Sequence, residues 1–409
     1  MILSPSVRRF LSCAAALAAG VGVAFTPSFA GAARAEPAPP RAAAPPDPAL
    51  LHRPGVHLRK REGAPALPDD ISALSWLVAD AASGEVLAAH DAHLGLPPAS
   101  TMKTLFALTA LPRLPRTGTH TVTDEELAQV GEGSSLVGLD VGRTYRISDL
   151  WKGVFLSSGN DAVHVLAAMN GGWAQTAAQM QARARALGAR DTHVVSPDGY
   201  DADGQVSSAY DLAVFGRAGL ADPDFARYAA LADAPFPGDT DAAGRPSWTY
   251  GIENTNRLLT GEDGVERYPG IIGIKNGYTS SAGFTLVTAA RRGGRTLLVT
   301  VMNPQQGGAF AVYDEARALL DWGFAAAGRV DPVGSLLPPP AKPTRTGPPP
   351  VAAPPSPAEP RTGYAWSAIL LAGAGGAGTA VYRLRRRPRR RKAGSYAGPD
   401  PDVPQGTDA

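Results

Sequence analysis

The chain has 409 residues, 44% of them apolar, so it can bury a large core and form at most two or three domains. Lys and Arg total 39 against 37 Asp and Glu, a balance that argues against a nucleic-acid-binding protein. Cys13 is the one cysteine, which excludes disulfide frameworks, cysteine-ligated zinc, iron–sulfur clusters and thiol catalysis.

The N-terminus has the pattern of an export signal. Two arginines precede an apolar run over 10–25, and small residues then lead to Ala33-Arg34-Ala35, an A-x-A pattern typical of a signal-peptidase site. Residues 1–35 are therefore predicted to be a signal peptide. An N-terminal membrane anchor is the alternative, but the run is short for a bilayer span. Residues 36–69 form an Ala/Pro-rich N-terminal segment.

The C-terminal part divides into three segments. Residues 331–362 are rich in proline and predict a stiff stalk. Residues 363–382 carry no charge and are long enough for a transmembrane helix, and the basic tail 383–409 follows directly. Because cations collect on the cytoplasmic side of a span, we expect the preceding chain to lie outside the cell membrane. A cleaved wall-sorting signal is the alternative, but its Leu-Pro-x-Thr-Gly motif is absent from the sequence.

Residues 70–330 are predicted to be one domain with strands at both ends and helices between. Short apolar segments separated by turn residues predict two β-hairpins and a further strand, at 74–79 with 85–90, at 284–290 with 296–302, and at 271–275. Helical periodicity predicts helices at 100–111, 147–157, 162–169, 173–187 and 309–327. This order indicates an α+β fold, in which an antiparallel sheet is flanked by helices and accompanied by a mostly helical lobe.

Lysine is rare here, which makes each lysine informative. The chain has six, and only Lys103, Lys152 and Lys275 fall within the domain. Unlike arginine, lysine loses its proton near neutral pH when it is desolvated or placed beside another cation. Lys103 and Lys275 are therefore candidate functional amines, whereas Lys152 is interpreted as a solvated helix cation.

Ser100 and Lys103 are spaced by one helical turn, so both side chains fall on the same helix face. Serine needs an adjacent base to act as a nucleophile, and a neutral lysine amine can supply it. Taken alone, the pair is better explained by a helix cap next to a surface lysine.

Two further segments carry candidate polar groups. In Ser157-Ser158-Gly159-Asn160-Asp161, the glycine is expected to let the turn present the Ser158 hydroxyl beside the Asn160 amide. In Gly273-Ile274-Lys275-Asn276-Gly277-Tyr278-Thr279, a strand lysine is followed two residues later by a glycine, where a ligand backbone can approach closely. Taken separately, these segments also read as a helix cap and an exposed strand cation.

Together and in this order, Ser-x-x-Lys, Ser-Gly-Asn and Lys-x-Gly resemble the three active-site motifs of the penicillin-recognising serine enzymes. Neighbouring residues, such as Pro97-Pro98-Ala99 and Ser208-Ala209-Tyr210-Asp211-Leu212, are similar to those of low-molecular-mass penicillin-binding proteins that act as D-alanyl-D-alanine carboxypeptidases. The resemblance covers about residues 70–330 and implies the serine β-lactamase/DD-peptidase-like fold, with the active site between sheet and helical lobe.

The resemblance also implies roles and partners. The substrate is a peptidoglycan stem peptide ending in D-Ala-D-Ala, and β-lactam antibiotics are covalent inhibitors. Ser100 is the nucleophile, Lys103 its base and Ser158 the proton relay to the leaving group. Asn160 holds the substrate amide, while Lys275 binds the terminal carboxylate and lowers the pKa of Lys103 by charge repulsion. The remaining substrate-binding residues are Asn276, Gly277, Tyr278, whose backbone N–H joins that of Ser100 in an oxyanion hole, and Thr279.

One residue departs from the family pattern, because Asn276 stands where the third motif usually has Thr or Ser. Its amide can still donate a hydrogen bond, so altered affinity is expected rather than inactivity. A DD-transpeptidase or endopeptidase of the same family, or an inactive membrane-tethered peptidoglycan-binding protein, remain alternatives. A class A β-lactamase is disfavoured because the first glutamate after Asn160 is Glu253. No metal or other cofactor is expected.

Overall fold

The computed structural model describes residue 47 and residues 49–338, and it contains a large antiparallel sheet with helices on both faces. The predicted signal peptide, transmembrane helix and basic tail lie outside these residues, as does the stalk from residue 339 onward. Among the helices of the described ranges, none combines the length and apolar character that a bilayer span requires.

The secondary structure confirms the predicted mixture of strands and helices. A first group of elements comprises β1 (Val56–Lys60), β2 (Ala73–Asp80), β3 (Glu85–His90), a 3₁₀ turn (Ala99–Met102), α1 (Lys103–Ala110), β4 (Thr119–Thr121), α2 (Asp124–Leu127), β5 (Thr144–Arg146), α3 (Ile147–Phe155), α4 (Asn160–Met169) and α5 (Trp173–Ala186). The second group comprises α6 (Ala209–Leu220), α7 (Pro223–Ala229), β6 (Asp233–Thr240), β7 (Pro246–Glu253), α8 (Arg257–Thr260), β8 (Ile271–Thr279), β9 (Gly283–Arg292), β10 (Arg295–Pro304), a 3₁₀ turn (Gly308–Phe310), α9 (Ala311–Ala326), β11 (Val330–Asp331) and β12 (Gly334–Ser335).

The main sheet has the strand order β11-β1-β3-β2-β10-β9-β8, and β12 pairs with β3. The hairpins β2–β3 and β9–β10 match the sequence prediction, and β10 pairs with β2 across a long sequence separation. Strand β8, which carries Lys275, lies at one edge of the sheet. Its free edge therefore faces the loops of the helical lobe, where a ligand can approach the backbone.

Successive residues of the central strands point to opposite faces and join different cores. On β10, Leu297 and Val299 pack with helix α9, whereas Leu298 packs with the helices of the lobe. Burial on both faces explains why these strands read as continuous apolar runs. The α+β class with a sheet, flanking helices and a helical lobe is confirmed.

The main sheet includes two strands, β1 and β12, from segments that the sequence analysis placed outside the domain. Strand β1 lies within the predicted N-terminal segment 36–69 and pairs with β3 and β11. Strand β12 lies within the predicted stalk 331–362. Neither strand is longer than five residues, and β1 has only half-buried or exposed side chains, so neither produces a clear apolar pattern.

The hairpin β6–β7 was also missed. Strand β6 contains two prolines, which argue against a strand in a sequence pattern. Nearly all residues of β7 are at least partly exposed, so its apolar alternation is weak. The hairpin matters for function because the loop that follows it, starting at Asn254, reaches the edge strand β8.

Candidate active site

Ser100 and Lys103 meet at the start of α1, where a 3₁₀ turn carries the serine and the helix begins at the lysine. The distance from Lys103 Nζ to Ser100 Oγ is 2.7 Å. Every residue of α1 is buried, so the packed helix holds Ser100 and Lys103 in position. The residue before the serine, Ala99, has a φ of 49°, a left-handed conformation that non-glycine residues adopt only under constraint.

The Lys103 ammonium has three acceptors drawn from three parts of the chain. Besides Ser100 Oγ it donates to Asn160 Oδ1 at 2.6 Å and to the backbone carbonyl oxygen of Asp198 at 2.7 Å. Only 1% of Lys103 is exposed. The amine is thus desolvated and aimed at the serine hydroxyl, which is the geometry required of an adjacent base.

Burial lowers the pKa of Lys103 to about 8, and the negative charges of Asp198 and Asp161 oppose this shift. The sequence analysis attributed the lowered pKa to repulsion from Lys275, which is not the main cause in the structure. Repulsion between the two amines instead contributes to the lowered pKa of Lys275, where burial is again the larger cause. At pH 7 about one Lys103 side chain in ten is neutral, enough to serve as a base.

The Ser157-to-Asp161 segment is the turn between α3 and α4, where the sequence analysis expected Ser158 and Asn160 to be presented together. The left-handed residue is Ser158, with φ of 57°, whereas Gly159 has an ordinary φ of −58°. Glycine is needed at 159 for space, because a Cβ there would lie 2.6 Å from Asp161 Oδ1 and 3.0 Å from Val137 N. Ser158 is 5% exposed and held in a strained conformation typical of functional sites.

Asn160 is fixed from both sides. Its Oδ1 accepts from Lys103, and its Nδ2 donates to Ser134 Oγ at 2.9 Å. The loop that carries Ser134 is anchored by the Asp161 carboxylate, which accepts from the backbone N–H groups of residues 137, 138 and 139. The amide therefore orients Lys103 and ties it to a loop that sequence reasoning did not connect with the site.

Lys275 lies on the edge strand β8 and is 2% exposed, with its Nζ donating to the Asn276 carbonyl oxygen at 2.9 Å. Across the part of the chain that the structure describes, no ion pair includes it, and burial followed by the charge of Lys103 lowers its pKa well below the ordinary value. A buried amine without an anionic partner favours its charged form when an anionic ligand binds beside it.

Gly277 has a role beyond the predicted one. A Cβ at this position would lie 2.6 Å from Ser100 N and 2.8 Å from Thr285 Oγ1. The glycine therefore makes room for the backbone of Ser100, a role that the sequence analysis did not assign to it. Its position brings β8 against the nucleophile, and it places the N–H of Tyr278 one residue along the strand.

The remaining predicted residues line the outer part of the site. Asn276 is half-buried and accepts at Oδ1 from Thr255 Oγ1 at 2.8 Å. Tyr278 is 59% exposed, and Thr279 Oγ1 donates to Asp201 Oδ1 at 2.7 Å. A cavity of about 210 Å³ includes Ala99, the residue before the nucleophile, but none of the predicted site residues, and it is lined by Pro97, Pro98, Ala99, Gly199, Tyr200, Asp201, Ala202, Asp203, Gln205 and Ser281.

The sequence analysis assigned no role to three residues that touch this machinery, namely Ser134, Asp198 and Thr255. Asp198 contributes a backbone carbonyl, which no side-chain pattern reveals. Its neighbour Gly199 has φ of 84°, and a Cβ there would lie 2.0 Å from the Ala99 carbonyl oxygen. An Asp-Gly pair is a turn signal in a sequence, but nothing in it indicates that the turn lies against the nucleophile.

Comparisons with known proteins agree with this geometry. The family model described as D-alanyl-D-alanine carboxypeptidase matches residues 60–306. D-alanyl-D-alanine carboxypeptidase DacB2 of Mycobacterium tuberculosis is 41% identical over 279 residues, which are 67% of this chain and 89% of that protein. DacD of Escherichia coli, named for the same activity, is 33% identical over 63% of this chain and 64% of its own length.

Solved structures extend the likeness to the fold. A D-alanyl-D-alanine carboxypeptidase from Mycobacterium tuberculosis superposes with a TM-score of 0.60 and 40% identity, covering 68% of this chain and 99% of that one. The Streptomyces K15 DD-transpeptidase gives a TM-score of 0.58 and 25% identity, covering 64% and 100% of the two chains. The chain belongs to the D-alanyl-D-alanine carboxypeptidase family.

Proposed function

We propose that the protein is a serine-type D-Ala-D-Ala carboxypeptidase, which removes the terminal D-Ala from peptidoglycan stem peptides through an acyl-enzyme on Ser100. One observation carries the proposal. A buried amine with a lowered pKa lies 2.7 Å from a serine hydroxyl, and a second buried amine, that of Lys275, lies close enough for the charge of Lys103 to lower its pKa. Family membership supplies the substrate class.

Acylation begins with the neutral amine of Lys103. The Ser100 hydroxyl donates to this amine and transfers its proton as Oγ bonds to the carbonyl carbon of the penultimate D-Ala. The substrate carbonyl oxygen becomes an oxyanion, for which the backbone N–H groups of Ser100 and Tyr278 are the proposed donors. Gly277 supports this role because its missing side chain allows the strand to approach Ser100 N.

Collapse of the intermediate breaks the C–N bond to the terminal D-Ala. The leaving amine takes a proton through the Ser158 hydroxyl, whose strained backbone holds it in the turn next to Asn160. Asn160 contributes by fixing Lys103 and by contacting the substrate amide. Water then attacks the ester on Ser100, which releases the shortened peptide and restores the hydroxyl.

The terminal carboxylate of the substrate is assigned to Lys275 and Asn276. Lys275 is a buried amine without a carboxylate partner in the described ranges, so an incoming carboxylate compensates its charge. β-Lactams carry a similarly placed carboxylate beside a reactive amide. They are therefore expected to acylate Ser100 and to remain attached to it.

A second candidate is DD-transpeptidation, in which an amine instead of water accepts the acyl group. One observation favours keeping it, namely the similarity to a solved protein named DD-transpeptidase. An inactive peptidoglycan-binding protein is less well supported. It would need neither the short distance between Ser100 and Lys103 nor the desolvation of Lys103.

The location of the protein is also a proposal. The signal-like pattern of residues 1–35 supports export, and the uncharged stretch 363–382 before a basic tail supports a single C-terminal span. The catalytic domain would then be held at the outer face of the cell membrane, where its substrate lies. Membrane fractionation of the full chain and of a chain shortened after residue 362 tests this.

Labelling with a fluorescent penicillin tests the catalytic assignment. Ser100→Ala should abolish labelling, and Lys103→Arg should reduce it by at least about a hundredfold because guanidinium stays protonated. Lys152→Arg is the matched control, since Lys152 pairs with Asp149 at 2.7 Å, and it should label normally. Labelling that survives Ser100→Ala would contradict the assignment of the nucleophile.

Release of D-Ala separates the candidate activities. A stem pentapeptide should yield free D-Ala and tetrapeptide with the wild type and neither with Ser100→Ala. Adding an amine acceptor and following the peptide by mass spectrometry measures the share of transfer to the amine. Transfer that dominates over hydrolysis at millimolar acceptor would favour the transpeptidase, and absence of both products would overturn the enzymatic proposal.

A further inference from the structure

Thr255 connects three parts of the molecule that meet at the candidate site. Its backbone N–H donates to the Leu156 carbonyl oxygen at 3.0 Å, just before the turn that carries Ser158. Its own carbonyl oxygen accepts from the Tyr313 hydroxyl of α9 at 3.0 Å and from Arg257 Nη1 at 2.8 Å. Three backbone contacts therefore fix the position of this residue between the helical lobe and the sheet.

The Thr255 side chain acts on the residue that departs from the family pattern. Its Oγ1 donates to Asn276 Oδ1 at 2.8 Å, so the Asn276 amide has its oxygen toward Thr255. Because Asn276 Oδ1 accepts from Thr255, the two N–H bonds of Asn276 Nδ2 point away from Thr255. Within the described residues, Nδ2 has no hydrogen-bond partner that meets normal geometry, and it is not a buried atom.

Tyr313 is the other polar neighbour of this amide. Burial raises the pKa of its phenol, and Arg257 followed by the Asn276 side chain opposes this shift. An amide nitrogen carries two hydrogens, and one remains for a ligand even if the other points toward Tyr313. Asn276 directly follows Lys275, the buried cation of the cleft.

We propose that Thr255 is a positioning residue, which orients the Asn276 amide so that its N–H donates to the terminal carboxylate of the substrate alongside Lys275. The inference rests on the proposed function. In this proposal, Thr255 and Asn276 together select substrates that have a free C-terminal carboxylate. Without the Thr255 hydroxyl, the amide can rotate and present its carbonyl oxygen to that carboxylate.

Two substrates that differ only at the C-terminus test the proposal. The first is an acylated Lys-D-Ala-D-Ala tripeptide, and the second is the same tripeptide with a C-terminal amide. Their ratio of kcat/KM measures carboxylate selection. Thr255→Val should lower this ratio roughly three- to tenfold, as expected for a misoriented hydrogen bond to a charged group. Thr255→Ser, which retains the hydroxyl, should restore the wild-type ratio.

Thr260→Val is a matched control, because Thr260 lies in the same segment and its hydroxyl faces the Asn256 carbonyl oxygen instead of Asn276. It should leave the ratio unchanged. A double-mutant cycle with Asn276→Ala adds a second requirement. If Thr255 acts through the amide, Thr255→Val has no further effect on the ratio in the Asn276→Ala background.

The outcomes separate the inference from the function on which it rests. Equal losses for both substrates in Thr255→Val would mean a merely structural role and would overturn the inference. So would an unchanged ratio, or additive effects in the cycle. In each case a wild type that cleaves the tripeptide and depends on Ser100 leaves the function intact, whereas a wild type that cleaves neither substrate contradicts the function itself.

Discussion

The backbone carbonyl oxygen of Asp198 lies 2.7 Å from Lys103 Nζ, so one residue acts on the candidate base in two ways. The carbonyl holds the amine by a hydrogen bond, and the carboxylate raises the pKa of Lys103 against the larger effect of burial. The carboxylate itself accepts from Ser196 Oγ and from Tyr200 N. Because an asparagine keeps an acceptor for these donors, the charge can be removed separately from the contact.

Asp198→Asn should therefore lower the pKa of Lys103 below about 8. Acylation needs the neutral amine, so its rate in the wild type should rise with pH and level off above about 8, and the variant curve should lie at lower pH. His164, 3.9 Å from the same carboxylate, has a pKa lowered by burial, and the charges of Asp198 and Asp161 oppose this shift. Penicillin acylation rates measured from pH 5.5 to 9.5 give the pH at the midpoint of this rise.

Asp201→Asn serves as the control for this titration, since Asp201 is in the same loop but contacts Thr279 and Ser281. Its acylation midpoint should match the wild type. An unchanged midpoint in Asp198→Asn would mean that another group sets the pH dependence of acylation.

Gly199→Ala should disrupt the nucleophile. The added Cβ would lie 2.0 Å from the Ala99 carbonyl oxygen in a residue whose φ is 84°, so Ser100 must move. We expect penicillin acylation to fall at least about a hundredfold, since small displacements of reacting groups are costly. Gly204→Ala is the control, because it has a similar φ of 80° but its Cβ would meet only His193, at 3.7 Å. Comparable losses in both variants would point to backbone strain instead of displacement.

Asp211 makes stability depend on pH in an unusual direction. Burial raises the pKa of this carboxyl to about 6, and one of its oxygens, Oδ1, has no hydrogen-bond partner among the residues that the structure describes. The folded protein thus keeps a proton that the unfolded chain loses near pH 4, so the contribution of Asp211 to stability is present at low pH and lost as pH rises through about 6.

Asp211→Asn cannot titrate, so its unfolding free energy relative to the wild type should rise between pH 4 and 7, by up to about 3 kcal/mol. Urea unfolding at several pH values measures the difference. Asp191→Asn provides the contrast, because hydrogen bonds from His93 and Ser208 outweigh burial and lower the pKa of Asp191. A difference between Asp211→Asn and wild type that is flat with pH would contradict the assigned titration.

Glu315 on α9 is expected to secure the start of β2. Its carboxylate is 5% exposed and accepts from Ser72 N at 2.9 Å, Ser72 Oγ at 2.6 Å and Ala73 N at 3.1 Å. Glu315→Ala should cost about 2–4 kcal/mol of unfolding free energy, because it leaves backbone N–H groups without an acceptor. The exposed neighbour Asp314 offers a control, and Asp314→Ala should cost less than about 1 kcal/mol by the same urea measurement.

The parts of the site that depend on local spacing were predictable from the sequence. Ser100 and Lys103 are one turn apart, and this spacing alone places both groups on one face of the chain segment. The hairpin β9–β10 was equally clear, because its turn residues separate two buried apolar runs. These features need no knowledge of what packs against them.

The parts that depend on contacts between distant segments were not predictable. The left-handed φ of Ser158 arises from the packing of its turn, and the space that Gly277 leaves is taken by Ser100, far away in the sequence. The same holds for the Asp198 carbonyl, which carries no side-chain signal. The cause of the lowered pKa of Lys103 was also misassigned, because the degree of burial is known only from the fold.

The two glycines that touch the backbone around the nucleophile, Gly199 and Gly277, have consequences for how such an enzyme can change. A Cβ at either position would clash with the backbone of Ala99 or Ser100, so larger residues are not expected at 199 and 277. Side chains with solvent-accessible surface, such as the half-buried Asn276 and the exposed Tyr278, do not meet this steric limit, so changes in antibiotic sensitivity or substrate preference are expected there. Asn276 is one such change, at a position where the side chain can vary while the backbone contacts of Gly199 and Gly277 around Ser100 are retained.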